Sequence, residues 1–86
     1  MATYPPMMLT VKSREKTVFE GEVTSITSYN SKGKFDVLPL HSNFISLIGE
    51  KIIIQPVVGP TQEIQLDNAV LRVIENTIQI FIGIER

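Results

Sequence analysis

Residues 33–44 read GKFDVLPLHSNF, and this stretch carries more information about the fold than any other part of the chain. A glycine opens it, polar and apolar residues alternate after that glycine, and Pro39 ends the alternation just before the only histidine, His41. Alternation with a period of two is typical of a β-strand with one buried face. Proline removes a backbone donor and so interrupts a strand. The stretch therefore predicts a glycine turn, a short strand at residues 34–38, and a proline–histidine turn.

Short β segments rich in Val, Ile, Thr and Phe recur along the whole sequence. Breaks that contain Gly, Asn, Asp, Pro or charged residues separate them, which gives nine short strands. These breaks include residues 20–21, 49–50, 67–68 and 75–76. Gly33, Gly49 and Gly59 suit turn positions with positive φ, and Asn30, Asn68 and Asn76 tolerate them. In the last strand, one face carries Ile78, Ile80, Ile82 and Ile84. No segment keeps a helical period, so the pattern predicts an all-β sandwich or barrel.

Composition excludes several classes of protein. The chain has 86 residues, 43% of them hydrophobic and 20% charged, which fits one globular domain (residues 1–86), with residues 1–8 expected to be a flexible or poorly packed start. A net charge of −1 offers no bulk attraction to nucleic acid, so no nucleic-acid partner is expected. The absence of cysteine excludes a disulfide scaffold. The start lacks a basic, apolar signal peptide, and charges interrupt residues 44–58, so we expect a soluble monomer.

Residues that could carry chemistry are few. Asp36, His41 and Ser42 include the residue types of a hydrolytic triad, but neighbouring residues of an extended chain rarely point at each other, and no nucleophile elbow is present. One histidine without cysteine makes a zinc site improbable. The sequence Lys32-Gly33-Lys34 lacks the other elements of a phosphate loop and is better explained as a solvated turn. We therefore expect no catalytic residues, no cofactor, no metal and no bound nucleotide.

Four segments together resemble one family. Residues 9–11 (LTV) are similar to its first strand, and residues 17–26 (TVFEGEVTSI) to its F-x-G-x-V-x-x-I motif. Residues 33–44 carry the proline–histidine turn, and residues 69–80 (AVLRVIENTIQI) are similar to its last hairpin. In this order and spacing they resemble the amino-terminal domain of the epsilon subunit of F-type ATP synthases, which is the delta subunit in mitochondria. Each motif is weak alone, and their succession over nearly the whole chain carries the resemblance.

The resemblance implies a flattened β-sandwich of about ten short strands in a non-catalytic rotor subunit. In that family the domain bridges the gamma subunit and the membrane ring of c subunits, on the cytoplasmic face of the membrane, and couples proton translocation to ATP synthesis. The contact with gamma would then involve Ser13, Leu40, His41 and Ser46. The contact with the c-ring would involve Asn30, Ser31, Lys32, Gly33 and Lys34.

Three features depart from the family pattern. Leu40 stands where the family has glycine before the histidine, so the turn must differ or must place an apolar side chain outward. Lys32 and Lys34 make the ring-facing turn basic, whereas the family often has acid there. The family's inhibitory, nucleotide-binding helical hairpin would begin where residue 86 ends the sequence, so we expect the sandwich without that hairpin. A standalone β-sandwich that binds other proteins remains the alternative, and a small hydrolase around His41 is a more distant one.

Overall fold

The computed structural model describes residues 5–83, which form six β-strands. They are β1 (Met7–Lys12), β2 (Thr17–Asn30), β3 (Gly33–Val37), β4 (Phe44–Pro56), β5 (Gln62–Ile74) and β6 (Thr77–Ile82). Their order in the sheet is β1-β6-β5-β4-β2-β3, and β1 also pairs with β2, so the sheet closes on itself. These residues contain no helix that could cross a membrane.

The three long strands bend and each contributes to two parts of the sheet. Residues 17–23 of β2 pair with β1, and residues 23–30 pair with β4 and β3. Residues 62–66 of β5 pair with β4 alone, whereas residues 69–73 pair with both β4 and β6. The folded-over sheet encloses one apolar core. The predicted all-β sandwich is therefore confirmed.

The expected number of strands is wrong, because three of the predicted breaks lie inside continuous strands. Gly21 stays in the ladder opposite Leu9, and the ring of Phe19 lies 3.6 Å from where a Cβ of Gly21 would be, so the ring covers the bare backbone. At residues 67–68, two residues of β5 lie opposite Gly49 alone, which is a β-bulge. Polar and glycine pairs that resemble turns in the sequence are thus bends and bulges here.

Positive φ angles occur at three of the six predicted positions, and Asn30 and Asn68 are not among them. Gly33 has a φ of 118°, Gly59 of 104° and Asn76 of 63°. The expectation for Gly49 is wrong, because the positive φ belongs to the next residue, Glu50, at 68°. Gly49 instead allows a close approach, since a Cβ there would lie 3.3 Å from the backbone oxygen of Asp67.

Every strand contributes inward-facing apolar residues to the core. Fully buried examples, one from each strand in chain order, are Met7, Val23, Val37, Ile52, Leu71 and Ile80. Ile78 is also fully buried and Ile82 packs partly against the core, as their alternation predicts, whereas Ile84 lies outside the described residues. The expectation of a poorly packed start is wrong at Met7, because β1 begins there and pairs with β2 and β6; residues 1–4 lie outside the described range.

Candidate functional site

The turn that follows β3 contains Leu40 and His41 in a defined geometry. The backbone N–H of His41 donates to the carbonyl of Leu38 at 3.1 Å, which closes a four-residue β-turn with Pro39 in its second position. Leu40, in the third position, has a φ of 67°. Proline followed by a residue with positive φ is typical of a type II turn, in which glycine is normally required at the third position. The turn therefore keeps the backbone of a Pro–Gly sequence although it contains leucine.

Leu40 is strained and points outward. A left-handed backbone costs roughly 1–2 kcal/mol for a residue with a Cβ. Its side chain is 63% exposed, so burial of the side chain does not offset this cost in the isolated chain. Its N–H donates to Oδ1 of Asn76 at 2.9 Å. Of the two possibilities raised by the missing glycine, the structure has the outward apolar side chain.

His41 packs on an aromatic ring and does not belong to a triad. Its ring lies 4.9 Å from that of Phe44, and its Nδ1 donates to the backbone carbonyl of Ser42 at 2.9 Å. Asp36 accepts a hydrogen bond from the hydroxyl of Thr27 at 2.6 Å. The structure therefore does not assemble Asp36, His41 and Ser42. Within residues 5–83, no group of three or more histidine and acidic side chains could hold a metal ion.

Ser46 is turned toward the interior, and its two neighbours in β4 are exposed instead. The Oγ of Ser46 accepts a hydrogen bond from Nδ2 of Asn30 at 3.2 Å and donates to the carbonyl of Leu47 at 3.1 Å. Ile45 is 67% exposed and Leu47 is 73% exposed. Sequence reasoning missed both, although residues 44–48 (FISLI), which are apolar except for Ser46, indicate that both faces of this part of β4 carry apolar side chains.

Leu47 belongs to an apolar row that crosses three strands. It pairs directly with Val70 of β5, and Val70 pairs with Phe81 of β6, which is 40% exposed. Neighbouring strands are about 4.8 Å apart, so the three side chains lie in contact range along the outer face. The row ends at Lys12, the partner of Phe81 on β1. Together with Ile45 and Leu40, it gives the molecule more apolar surface in water than scattered single residues would.

The five residues assigned to the c-ring contact lie together in the β2–β3 hairpin. Asn30 pairs with Gly33, and Oδ1 of Asn30 accepts the N–H of Lys32 at 2.9 Å. Ser31 and Lys32 form the tip, and Lys34 begins the return strand; both lysines are exposed. The single ion pair within residues 5–83 joins Lys51 to Glu63, so both lysines of the hairpin present their charge to solvent.

Ser13 lies apart from the other residues assigned to gamma. It forms the β1–β2 turn, where its Oγ accepts the N–H groups of Glu15 and Lys16. This turn borders a shallow groove with Ile82, at the end of β6, whereas Leu40 bonds to Asn76 at the start of β6. A strand of six residues is about 20 Å long, so the structure does not bring Ser13 next to Leu40 and His41.

Comparison with known proteins identifies the domain and its fold. The family model described as the beta-sandwich domain of the ATP synthase delta/epsilon chain matches residues 6–83. A chain in the cryo-EM structure of Euglena gracilis mitochondrial ATP synthase, OSCP/F1/c-ring, superimposes with a TM-score of 0.83 at 15% identity, over 94% of this chain. A chain of the central stalk and c-ring structure of Tetrahymena thermophila mitochondrial ATP synthase gives 0.79 at 13% identity, over 96% of this chain.

These two likenesses concern the fold. The match covers 53% of the Euglena chain and 67% of the Tetrahymena chain, so the protein spans about half the length of the first and two thirds of the second. No curated protein matches the sequence significantly.

Proposed function

The chain belongs to the family of the ATP synthase delta/epsilon chain, through its beta-sandwich domain, and from that premise we propose that it is a non-catalytic subunit of the rotor of an ATP synthase. In this role it bridges the gamma subunit and the c-ring and so couples proton translocation to ATP synthesis. It is a peripheral subunit that reaches the cytoplasmic face of the membrane through the assembled enzyme.

One observation carries the proposed contact with gamma: the fold leaves four large apolar side chains in water within ten residues of chain. Leu38, Leu40, Ile45 and Leu47 are 54%, 63%, 67% and 73% exposed. Clustered apolar exposure of this kind marks surfaces that bind other proteins. Leu40 adds backbone strain to exposure, and strain is stored where structure serves function. We assign this end of the sandwich, with His41 beside it, to gamma.

The β2–β3 hairpin supports the contact with the c-ring by its shape and charge. Its tip projects beyond the β2–β4 pairing, which ends at Tyr29, and it carries two lysine charges. A basic hairpin favours an acidic or polar partner surface and opposes a basic one. The ring that binds here therefore presents loops that complement Lys32 and Lys34.

The contact with gamma is tested by replacing both Leu40 and His41 with Asp. A carboxylate placed at a desolvated contact weakens binding by about 2 kcal/mol or more, which is roughly a 30-fold loss of affinity. Retention of the variant by the gamma subunit from the same genome is measured in a pull-down and then by titration. Val58→Asp is the matched control, because Val58 is 85% exposed but lies in the β4–β5 loop.

Circular dichroism must show that both variants keep the native fold. Unchanged binding of the Leu40/His41 variant would remove this turn from the interface, and a standalone protein-binding sandwich would then be the better explanation. Equal loss with Val58→Asp would show that the effect is not specific to the turn.

A further inference from the structure

Three segments that are distant in sequence are tied together by two asparagine side chains. Asn76, in the β5–β6 turn, accepts the N–H of Leu40 through Oδ1 at 2.9 Å and donates through Nδ2 to the carbonyl of Pro6 at 3.2 Å. Asn43, at the end of the proline–histidine turn, accepts the N–H of Glu75 at 2.9 Å. Each of the two turns therefore supplies one side chain that binds the backbone of the other.

The backbone angles show what these hydrogen bonds hold in place. Leu40 and Glu75 have φ angles of 67° and 50°, and both are residues that rarely adopt the left-handed region. The N–H of Leu40 donates to Oδ1 of Asn76, and the N–H of Glu75 donates to Oδ1 of Asn43. Each asparagine thus bonds a strained residue of the opposite turn.

We propose that Asn76, assisted by Asn43, is a positioning residue that holds Leu40 in its left-handed conformation and so presents the Leu40 side chain to the gamma subunit. The proposal rests on the proposed function for its binding part. Without the hydrogen bond from its N–H, Leu40 would leave the left-handed region, since strain of this size changes the ratio of two conformations by roughly 5- to 30-fold. A partner that binds only the left-handed form would then bind more weakly by a similar factor.

The critical variant is Asn76→Gly. Glycine adopts positive φ readily, so the β5–β6 turn keeps its backbone at the φ of 63° while both side-chain hydrogen bonds are lost. Asn76→Asp is the conservative rescue, because it keeps the acceptor for Leu40 and loses only the donor to Pro6. Asn68→Ala is the matched control, since the Asn68 side chain makes no hydrogen bond to a described residue.

Two measurements are made on the whole chain. By NMR, Asn76→Gly is expected to weaken the strong intraresidue HN–Hα NOE of Leu40, which marks positive φ, and to speed exchange of the Leu40 amide by about 10-fold or more. In titrations, affinity for the gamma subunit from the same genome is expected to fall by about 10-fold. Asn76→Asp and Asn68→Ala should stay within about 3-fold of the parent in both measurements.

Leu40→Ala separates failure of this proposal from failure of the proposed function. If Leu40→Ala weakens binding while Asn76→Gly changes neither the NOE nor the affinity, the positioning role is wrong and the contact stands. If Leu40→Ala binds as tightly as the parent, the contact assigned to this turn is wrong, and the presenting role of Asn76 is refuted with it. A loss of affinity in Asn76→Gly with an unchanged Leu40 NOE would also overturn the proposal.

Discussion

Exchanging Leu40 for alanine and for glycine should reverse the usual order of stability of these two residues. In a strand or an extended segment, a glycine variant is less stable than the alanine variant by roughly 0.5–1 kcal/mol, because glycine loses more backbone conformational entropy on folding. At a φ of 67° the order depends on a second effect, since alanine keeps the Cβ that makes the left-handed region unfavourable. Leu40→Ala and Leu40→Gly both lose the same exposed side chain beyond Cβ, so the difference between them isolates the backbone.

The magnitude follows from these two terms. Removing the Cβ relieves roughly 1–2 kcal/mol of left-handed strain. The extra conformational entropy of the unfolded glycine variant lowers its free energy of unfolding by about 0.5–1 kcal/mol. Leu40→Gly should therefore be more stable than Leu40→Ala by about 0.8 kcal/mol, the difference between the midpoints of the two ranges. In a domain of this length, about 1 kcal/mol shifts the melting temperature by roughly 4–8 °C, so the difference is measurable.

Urea denaturation followed by far-ultraviolet circular dichroism gives both free energies of unfolding. The control is the same pair of substitutions at Leu38, which is 54% exposed and precedes Pro39, where the backbone is extended. There the glycine variant should be the less stable by roughly 0.5–1 kcal/mol. If the Leu40→Ala variant is as stable as the Leu40→Gly variant or more so, the backbone at position 40 is not strained. Strain would then no longer support the assignment of Leu40 to the contact with gamma.

Three further outcomes are expected. Ile54→Ala, at a fully buried site, should lower the free energy of unfolding by roughly 2–5 kcal/mol. Ile45→Ala, at a site 67% exposed, should change it by less than about 0.5 kcal/mol. Equal effects of the two substitutions in thermal unfolding would contradict the assignment of inner and outer faces. Ser28→Ala removes a buried hydroxyl that donates to a β4 carbonyl at 2.9 Å and should lower stability by about 1 kcal/mol in urea denaturation; no loss would mean that water replaces this bond. Reversing Lys32 and Lys34 to Glu should change c-ring association and its salt dependence in co-sedimentation at two ionic strengths, with gamma binding unaltered; an effect on gamma alone would exchange the two assigned surfaces.

The fold class was predictable because a period of two is a local signal. The alternation in residues 34–38 and in β6 needs no tertiary information, and the structure confirms both strands. Leu40 also stands where the family has glycine before the histidine, so the sequence alone marks this turn as unusual. What the sequence left open was whether the turn changes or the side chain points outward. In the structure the outward side chain is accompanied by the hydrogen bond that the N–H of Leu40 donates to Asn76, a residue 36 positions away.

The number of strands and the grouping of the site were not predictable for a related reason. Asp67 and Asn68 are turn residues by propensity, and only their pairing opposite Gly49 makes them a bulge. The distance between Ser13 and Leu40 is likewise set by the parallel pairing of β1 with β6, the first and last strands. Ile45 and Leu47 were missed because their exposure depends on which face of β4 the core covers. Long-range pairing decided each of these features.

The arrangement of β2 and β4 bears on how a domain of this kind could transmit force between two partners. The basic hairpin extends directly from β2, and the segment that contains Ile45 and Leu47 is the start of β4. These two segments are joined by the hydrogen bond from Asn30 to Ser46 at 3.2 Å and by the β2–β4 ladder that begins at Tyr29 and Gly49. A displacement of the hairpin therefore reaches the apolar end through strand pairing, without a flexible loop between them. For the proposed bridging role, a short path through hydrogen-bonded strands keeps the elastic deformation small.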